Sequence, residues 1–279
     1  MPYFTEVTAP TARAQTSANL LASAVPDSSS DGSWMNGASW IGELCPELEI
    51  VDPCAELDDS HPASGGTYRY ASPLGYRMRA RCTTMAGPRS YPVIRDRLAR
   101  QAEAVASFAV ARELAEGAGA SANSFTGPAG EAGLVNQYLA DADAETITGA
   151  TGVLDALGLL EQEARDRTKG MQVFLHIPIR IATQVAAQLR REGNELRTHT
   201  DAIVIADAGY TGKGPGANPT GIWGYATGPV FAKLGPVAVL DENAATIDRR
   251  TNTQEIWADR MFLAGFDPCC QLAIQFPEP

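Results

Sequence analysis

The stretch that decides the fold is IDRRTNTQEIWADRMFLAGFDPCCQLAIQF, residues 247–276. It is a long, regular run of apolar and polar residues, and it follows a Gly-rich β segment. It holds no catalytic grouping. Its regularity is that of a chain laid out as strand, where side chains alternate between two faces.

A second alternating stretch lies upstream. Tyr76, Met78, Ala80 and Cys82 fall on one side; Arg77, Arg79 and Arg81 fall on the other. Period two predicts a strand with one apolar and one all-Arg face. The charge around it is uneven. Glu43, Glu47, Glu49, Asp52, Glu56, Asp58 and Asp59 form an acidic segment without a base. Arg69, Arg77, Arg79, Arg81, Arg89, Arg95, Arg97 and Arg100 follow, against the single acid Asp96. The two segments make the chain self-complementary, within one subunit or between subunits, where such pairing steers assembly. Contact between subunits is expected through Arg69, Arg77, Arg79 and Arg81 and through Glu56, Asp58 and Asp59.

The strongest helix signal runs from Pro92 to Glu116. Ile94, Leu98, Ala102, Val105 and Ala109 recur at helical spacing, and Gly117 closes the run. At about 1.5 Å per residue it spans nearly 40 Å. Further helices are predicted over 150–169 and 179–192, the last closed by Gly193. Strands are predicted over 171–177 and 202–206, with two or three short ones between 222 and 240, separated by Gly228 and Gly235–Pro236. Residues 1–39 are rich in Ala, Thr, Ser and Asp and predict an arm with little to bury, in which Leu20, Leu21 and Val25 could dock locally. The class is α+β, with no internal repeat.

The bulk numbers restrict function. A 279-residue chain has ample length for a core. Its net charge of −11 argues against gripping a nucleic-acid backbone or an anionic membrane. Its only lysines are Lys169, Lys213 and Lys233, and the Arg and Ala bias is that of a GC-rich genome. No signal peptide or membrane-length apolar run is present, so the five cysteines are expected as buried thiols in a cytosolic setting.

Chemical motifs fail one by one. The loop GYTGKGPGANPTG, 209–221, lacks the spacing of a phosphate loop. Ser121 lacks the closing Gly of a nucleophile elbow. Cys45, Cys54, Cys82, Cys269 and Cys270 make no C-x-x-C, and His61, His176 and His199 make no i, i+4 pair. Cys269–Cys270 reads as two thiols on opposite strand faces. No cofactor and no metal are expected.

In this order the pieces resemble a major capsid protein of tailed bacteriophages with the Hong Kong 97-like fold, especially those of phages of actinobacteria. The resemblance covers the chain from about Trp40 onward. In the 247–276 run it rests on Asn252, then Ala258-Asp259-Arg260, then Pro268 before Leu272-Ala273-Ile274. Upstream it rests on Trp40, on Cys45 and Cys54, on Cys82-Thr83-Thr84 and on the long helix. It implies an N-terminal arm (1–50), an extended loop (51–90), a spine helix of a peripheral domain (91–118), an axial domain (119–240) and terminal strands of the peripheral domain (241–279). It implies a non-enzymatic shell subunit that assembles with itself into hexamers and pentamers around double-stranded DNA, without sequence-specific binding. Assembly in the bacterial cytoplasm, a location in the virion, and scaffold, portal and cement partners follow from the same resemblance. No Lys precedes Lys169, so the Lys–Asn cross-link of some relatives cannot form from the extended loop. No long charged helix precedes the arm, and with the chain beginning at Met1 a scaffold is expected as a separate protein. An encapsulin-type compartment shell shares the implied fold. A hydrolase with an unrecognised site and a ring- or tube-forming tail or connector component are the remaining alternatives.

Overall fold

The computed structural model describes residues 13, 15–25, 34–35, 38–41, 68–82, 91–119, 137–216, 220–240, 247–248, 253–267 and 270–277. The chain divides into two compact units. One gathers 1–15, 76–106 and 236–260; the other gathers 16–75, 107–235 and 261–279.

In the first unit the alternating stretches become paired strands. Strand β3 (Leu74–Cys82) lies beside β12 (Thr253–Phe266), which also pairs with β10 (Val230–Leu240) and with the short β11 (Ile247–Asp248). Helix α2 (Tyr91–Ala104) covers the apolar face. Its Leu98 and Ala102 join Ile256 and Ala258 in a core flanked by Met78, Ala80, Val237 and Val239. Tyr76 crosses this core to donate its hydroxyl to the carbonyl of Ala102 at 2.5 Å, and burial raises its pKa.

Two expectations change here. The Gly235–Pro236 pair does not split the segment, since β10 runs through it for 11 residues. Proline lacks the N–H a ladder needs, but β10 ends its sheet among the described residues, and an edge strand tolerates that loss. The long helix is not continuous either. It is interrupted for one residue at Val105, and α3 (Ala106–Glu116) resumes beyond it. β-branched Val105 is a weak helix former, and the Ser107 side chain is engaged elsewhere.

The second unit is built on a seven-stranded mixed sheet, in the order β4 (Glu145–Ile147), β13 (Gln271–Phe276), β9 (Ile222–Thr227), β5 (Phe174–His176), β8 (Ile203–Ile205), β7 (Glu195–Thr198), β6 (Leu189–Glu192). Helix α4 (Val153–Arg167) packs Ala156, Leu157, Leu160 and Ala164 against Val173, Leu175, Val204, Ala226 and Ile274. The helix expected through Glu192 is shorter. Helix α5 covers only Ile179–Gln184, a 3-10 turn follows, and 189–192 turn back as β6. Gly193, at φ +59°, is the first residue of a two-residue hairpin turn, with Glu192 opposite Glu195. Gly in that place is the mark of a hairpin turn as much as of a helix end. Strand β1 (Ala38–Ile41) pairs antiparallel with β2 (Tyr68–Ala71).

Residues 17–25 are clasped onto this unit. Helix α1 (Leu20–Ser23) is capped by Asn19, whose Oδ1 accepts from the N–H of Ala22 at 2.7 Å. The buried carboxylate of Asp207 accepts from the N–H of Leu20 at 3.1 Å, the hydroxyl of Ser107 at 2.7 Å and the N–H of Gly209 at 2.9 Å. Ala18 exchanges backbone bonds with Asn194 and Ala206, and the N–H of Val25 donates to Val230 at 2.7 Å. Leu20 is completely buried.

Candidate assembly face

On the outer face of the first unit's sheet, charges pair across two strands. Arg77 faces Asp259 and Arg81 faces Glu255, so four residues forward on β3 is four residues back on β12. That is antiparallel register, and it sets Arg79 opposite Trp257 between the two pairs. Arg77 donates from Nε to Oδ1 of Asp259 at 2.7 Å and from Nη2 to Oδ2 at 2.6 Å, a fork-to-fork contact. Arg81 directs both Nε and Nη2 to Oε1 of Glu255, each at 2.9 Å. The Arg77 guanidinium lies 5.0 Å from the Trp257 ring centroid and that of Arg79 lies 6.0 Å away, within cation–π range. The Arg77 and Arg81 side chains remain 44% and 72% exposed, so each pair adds only about 0–1 kcal/mol to stability.

Of the residues expected at contacts between subunits, Arg77, Arg79 and Arg81 therefore share one exposed face. Arg69 lies on β2, opposite Trp40 in register. Glu56, Asp58 and Asp59 lie outside the described residues. The acids that meet Arg77 and Arg81 are Asp259 and Glu255 respectively, and both lie outside the acidic segment at 43–59. The signal was available: Glu255, Trp257 and Asp259 alternate with Ile256 and Ala258 as the three arginines alternate with Met78 and Ala80.

The candidates for chemistry are placed otherwise. His176 is buried at the centre of the second unit's sheet, with Nδ1 2.7 Å from the Tyr210 hydroxyl and Nε2 2.8 Å from Oγ1 of Thr227. Thr227 spends its one proton on the carbonyl of Gly228 at 2.8 Å, so it accepts from Nε2–H. Tyr210 then donates to Nδ1. Every hydrogen-bonding atom of a neutral imidazole is satisfied, and burial lowers its pKa to about 3. Tyr210 is pushed well above the usual phenol value, first by burial and then by Asp207. Cys270 is a buried free thiol, its pKa pushed up to about 12 mainly by burial. Cys45, Cys54, Cys269 and His61 lie outside the described residues. Among the described residues no group of three or more His, Cys, Asp or Glu gathers to hold a metal, and no helix is long and apolar enough to cross a membrane.

No protein-family model and no curated protein matches the sequence. Solved structures do match in shape. A structure of Gordonia phage Cozz superposes with a TM-score of 0.55 at 11% identity, over 100% of this chain and 92% of that one. The capsid of an empty GTA particle gives 0.51 at 12%, over 100% and 95%. A structure of Mycobacterium phage Ogopogo gives 0.50 at 15%, over 99% and 96%. At these identities the likeness is one of fold. The chain has the α+β fold of phage capsid structures, as the sequence resemblance implied.

Proposed function

We propose that this chain is the major capsid protein of a tailed phage, a non-catalytic subunit that assembles with itself into the hexamers and pentamers of an icosahedral head. The observation that carries the reading is the likeness of fold along the whole chain, with nine-tenths or more of the matched chains covered in turn. The site chemistry supports it. The buried imidazole is neutral and fully bonded, whereas the charged side chains with room to meet a partner lie on an open strand face. Residues 1–50, 51–90, 91–118, 119–240 and 241–279 take the roles of arm, extended loop, spine helix, axial domain and terminal strands. Contacts between subunits run through Arg69, Arg77, Arg79, Arg81, Glu56, Asp58 and Asp59. The head encloses double-stranded DNA, and a net charge of −11 keeps the subunit from adhering tightly to it. Assembly takes place in the host cytoplasm, with scaffold, portal and cement proteins as further partners.

The test is to express the chain alone and examine it by size-exclusion chromatography and negative-stain electron microscopy. Closed shells or capsomers of five and six subunits are the expected result. A monodisperse monomer or dimer that also fails to assemble with a candidate scaffold would sink the reading.

A further inference from the structure

We propose that Arg79 is the docking cation of the β3–β12 face and that it takes a carboxylate from a second copy of this chain. The proposal rests on the self-assembly reading above and assigns its contact to one side chain.

Three aligned cross-strand positions occupy this face, and the outer two are already neutralised. Asp259 holds Arg77 and Glu255 holds Arg81. At the middle position an indole stands where a third acid would complete the series. Arg79 is exposed and has no carboxylate partner among the described residues; its guanidinium lies over the Trp257 ring. The indole N–H of Trp257 beneath it is buried and has no acceptor among the described residues. The face therefore presents one exposed cation, Arg79, without an acid of its own. Its five charged side chains sum to +1, on a chain of −11.

That difference favours a second copy as the occupant. Two copies of an acidic chain repel at long range, so their contact must centre on local positive charge. A second copy has 33 Asp and Glu to offer. The face also has an apolar flank. On β10, Val237 and Val239 turn into the core, which leaves Ala238 and Leu240 exposed on the outer side. Arg and Trp beside exposed aliphatic side chains are the composition of an interface centre. The outer pairs add rigidity, since arginines held by carboxylates leave the middle guanidinium little freedom to collapse onto a neighbour's acid.

The experiment compares wild type, Arg79→Lys, Arg79→Gln and Arg79→Glu in the full chain. Association is read by sedimentation velocity at two salt concentrations, and fold by urea unfolding. Wild type should associate, and more weakly at high salt. Arg79→Gln and Arg79→Glu should lose about tenfold or more in association while the urea midpoint stays at the wild-type value. Arg79→Lys should retain part of the association, because the charge survives and the fork does not. Wild-type association by Arg79→Glu would overturn the proposal and leave the capsid reading standing. A lowered urea midpoint in Arg79→Gln with association unchanged would place the partner within the same chain and also overturn it. So would anisotropy-detected binding to a double-stranded DNA fragment that Arg79→Gln abolishes, since the cation would then serve a phosphate. A wild type that stays monomeric both alone and with a candidate scaffold, with a dissociation constant weaker than ~1 mM, overturns both readings.

Discussion

Arg77 and Asp259 lie 182 positions apart in sequence and meet edge to edge, each nitrogen of the fork on its own carboxylate oxygen. The contact reports the register of two strands as much as it adds energy. Arg77→Glu would set two acids against each other and should lower stability by about 1 kcal/mol, the scale of an exposed pair and its reversal. The exchange Arg77→Glu with Asp259→Arg should recover most of that loss. Urea unfolding of the two single variants and the double variant measures the coupling directly.

The buried imidazole sets a pH dependence. His176 has its pKa lowered to about 3 in the folded chain, against about 6.5 when unfolded. Below pH 6.5 the unfolded state binds a proton that the folded state refuses, so stability falls as pH falls. The contribution is intact above 6.5 and is lost on the way down to about 3, by at most roughly a factor of ten in the folding equilibrium per pH unit. His176→Gln, which does not titrate, should be less stable at neutral pH but should show a shallower acid slope. Urea midpoints from pH 7 to 4 for both proteins test this as a difference.

The clasp at residues 17–25 hangs on one carboxylate. Asp207→Asn replaces an acceptor oxygen by an amide donor, so Leu20 N–H, Ser107 Oγ–H and Gly209 N–H can no longer all be satisfied. A cost of about 1–3 kcal/mol is expected. Hydrogen exchange at the Leu20 and Gly209 amides should quicken, while the amide of Leu175 in the sheet keeps its protection. Unchanged exchange at Leu20 would refute the role given to Asp207.

Two glycines should respond in opposite directions to alanine. At Gly209 a Cβ would lie 2.5 Å from the carbonyl oxygen of Phe108 and 2.6 Å from the nitrogen of Arg112. Both are backbone atoms, so something must shift, and Gly209→Ala should cost about 1–3 kcal/mol. At Gly158, inside α4, a Cβ would meet nothing within 4 Å. Gly158→Ala should stabilise the isolated chain by up to about 1 kcal/mol through helix propensity. Thermal unfolding of the two variants side by side decides the matter.

What the sequence disclosed was whatever repeats along one strand or one helix. Alternation at 76–82 gave β3 and its two faces, and the run at 253–276 gave β12 and β13, because period two is a local property. What it hid depends on which distant segment supplies the partner. Nothing near Arg77 announces Asp259, and nothing in the Ala-, Ser- and Thr-rich N-terminal stretch announces that Leu20 would be buried and tied to Asp207. The i, i+2 bond from Gly209 to Asp207 was the one local hint, typical of a turn-forming Asp. At 189–192 local propensity misled: Ala-, Gln- and Arg-rich sequence continues a helix on paper, but pairing with β7 makes it strand.

Pro236 and Val25 have a joint consequence for how copies of this chain can meet. A sheet edge is a template on which any other strand can crystallise, and a protein made in quantity is exposed to that hazard. Here edge strand β10 is bridged by Val25 at Phe231 and lacks a donor at Pro236. Open-ended strand-on-strand growth, the route to amorphous aggregate or fibre, is discouraged at both places. At this edge, contact through side-chain faces is favoured over strand addition, and side-chain faces, unlike a bare ladder, admit a neighbour by shape and charge.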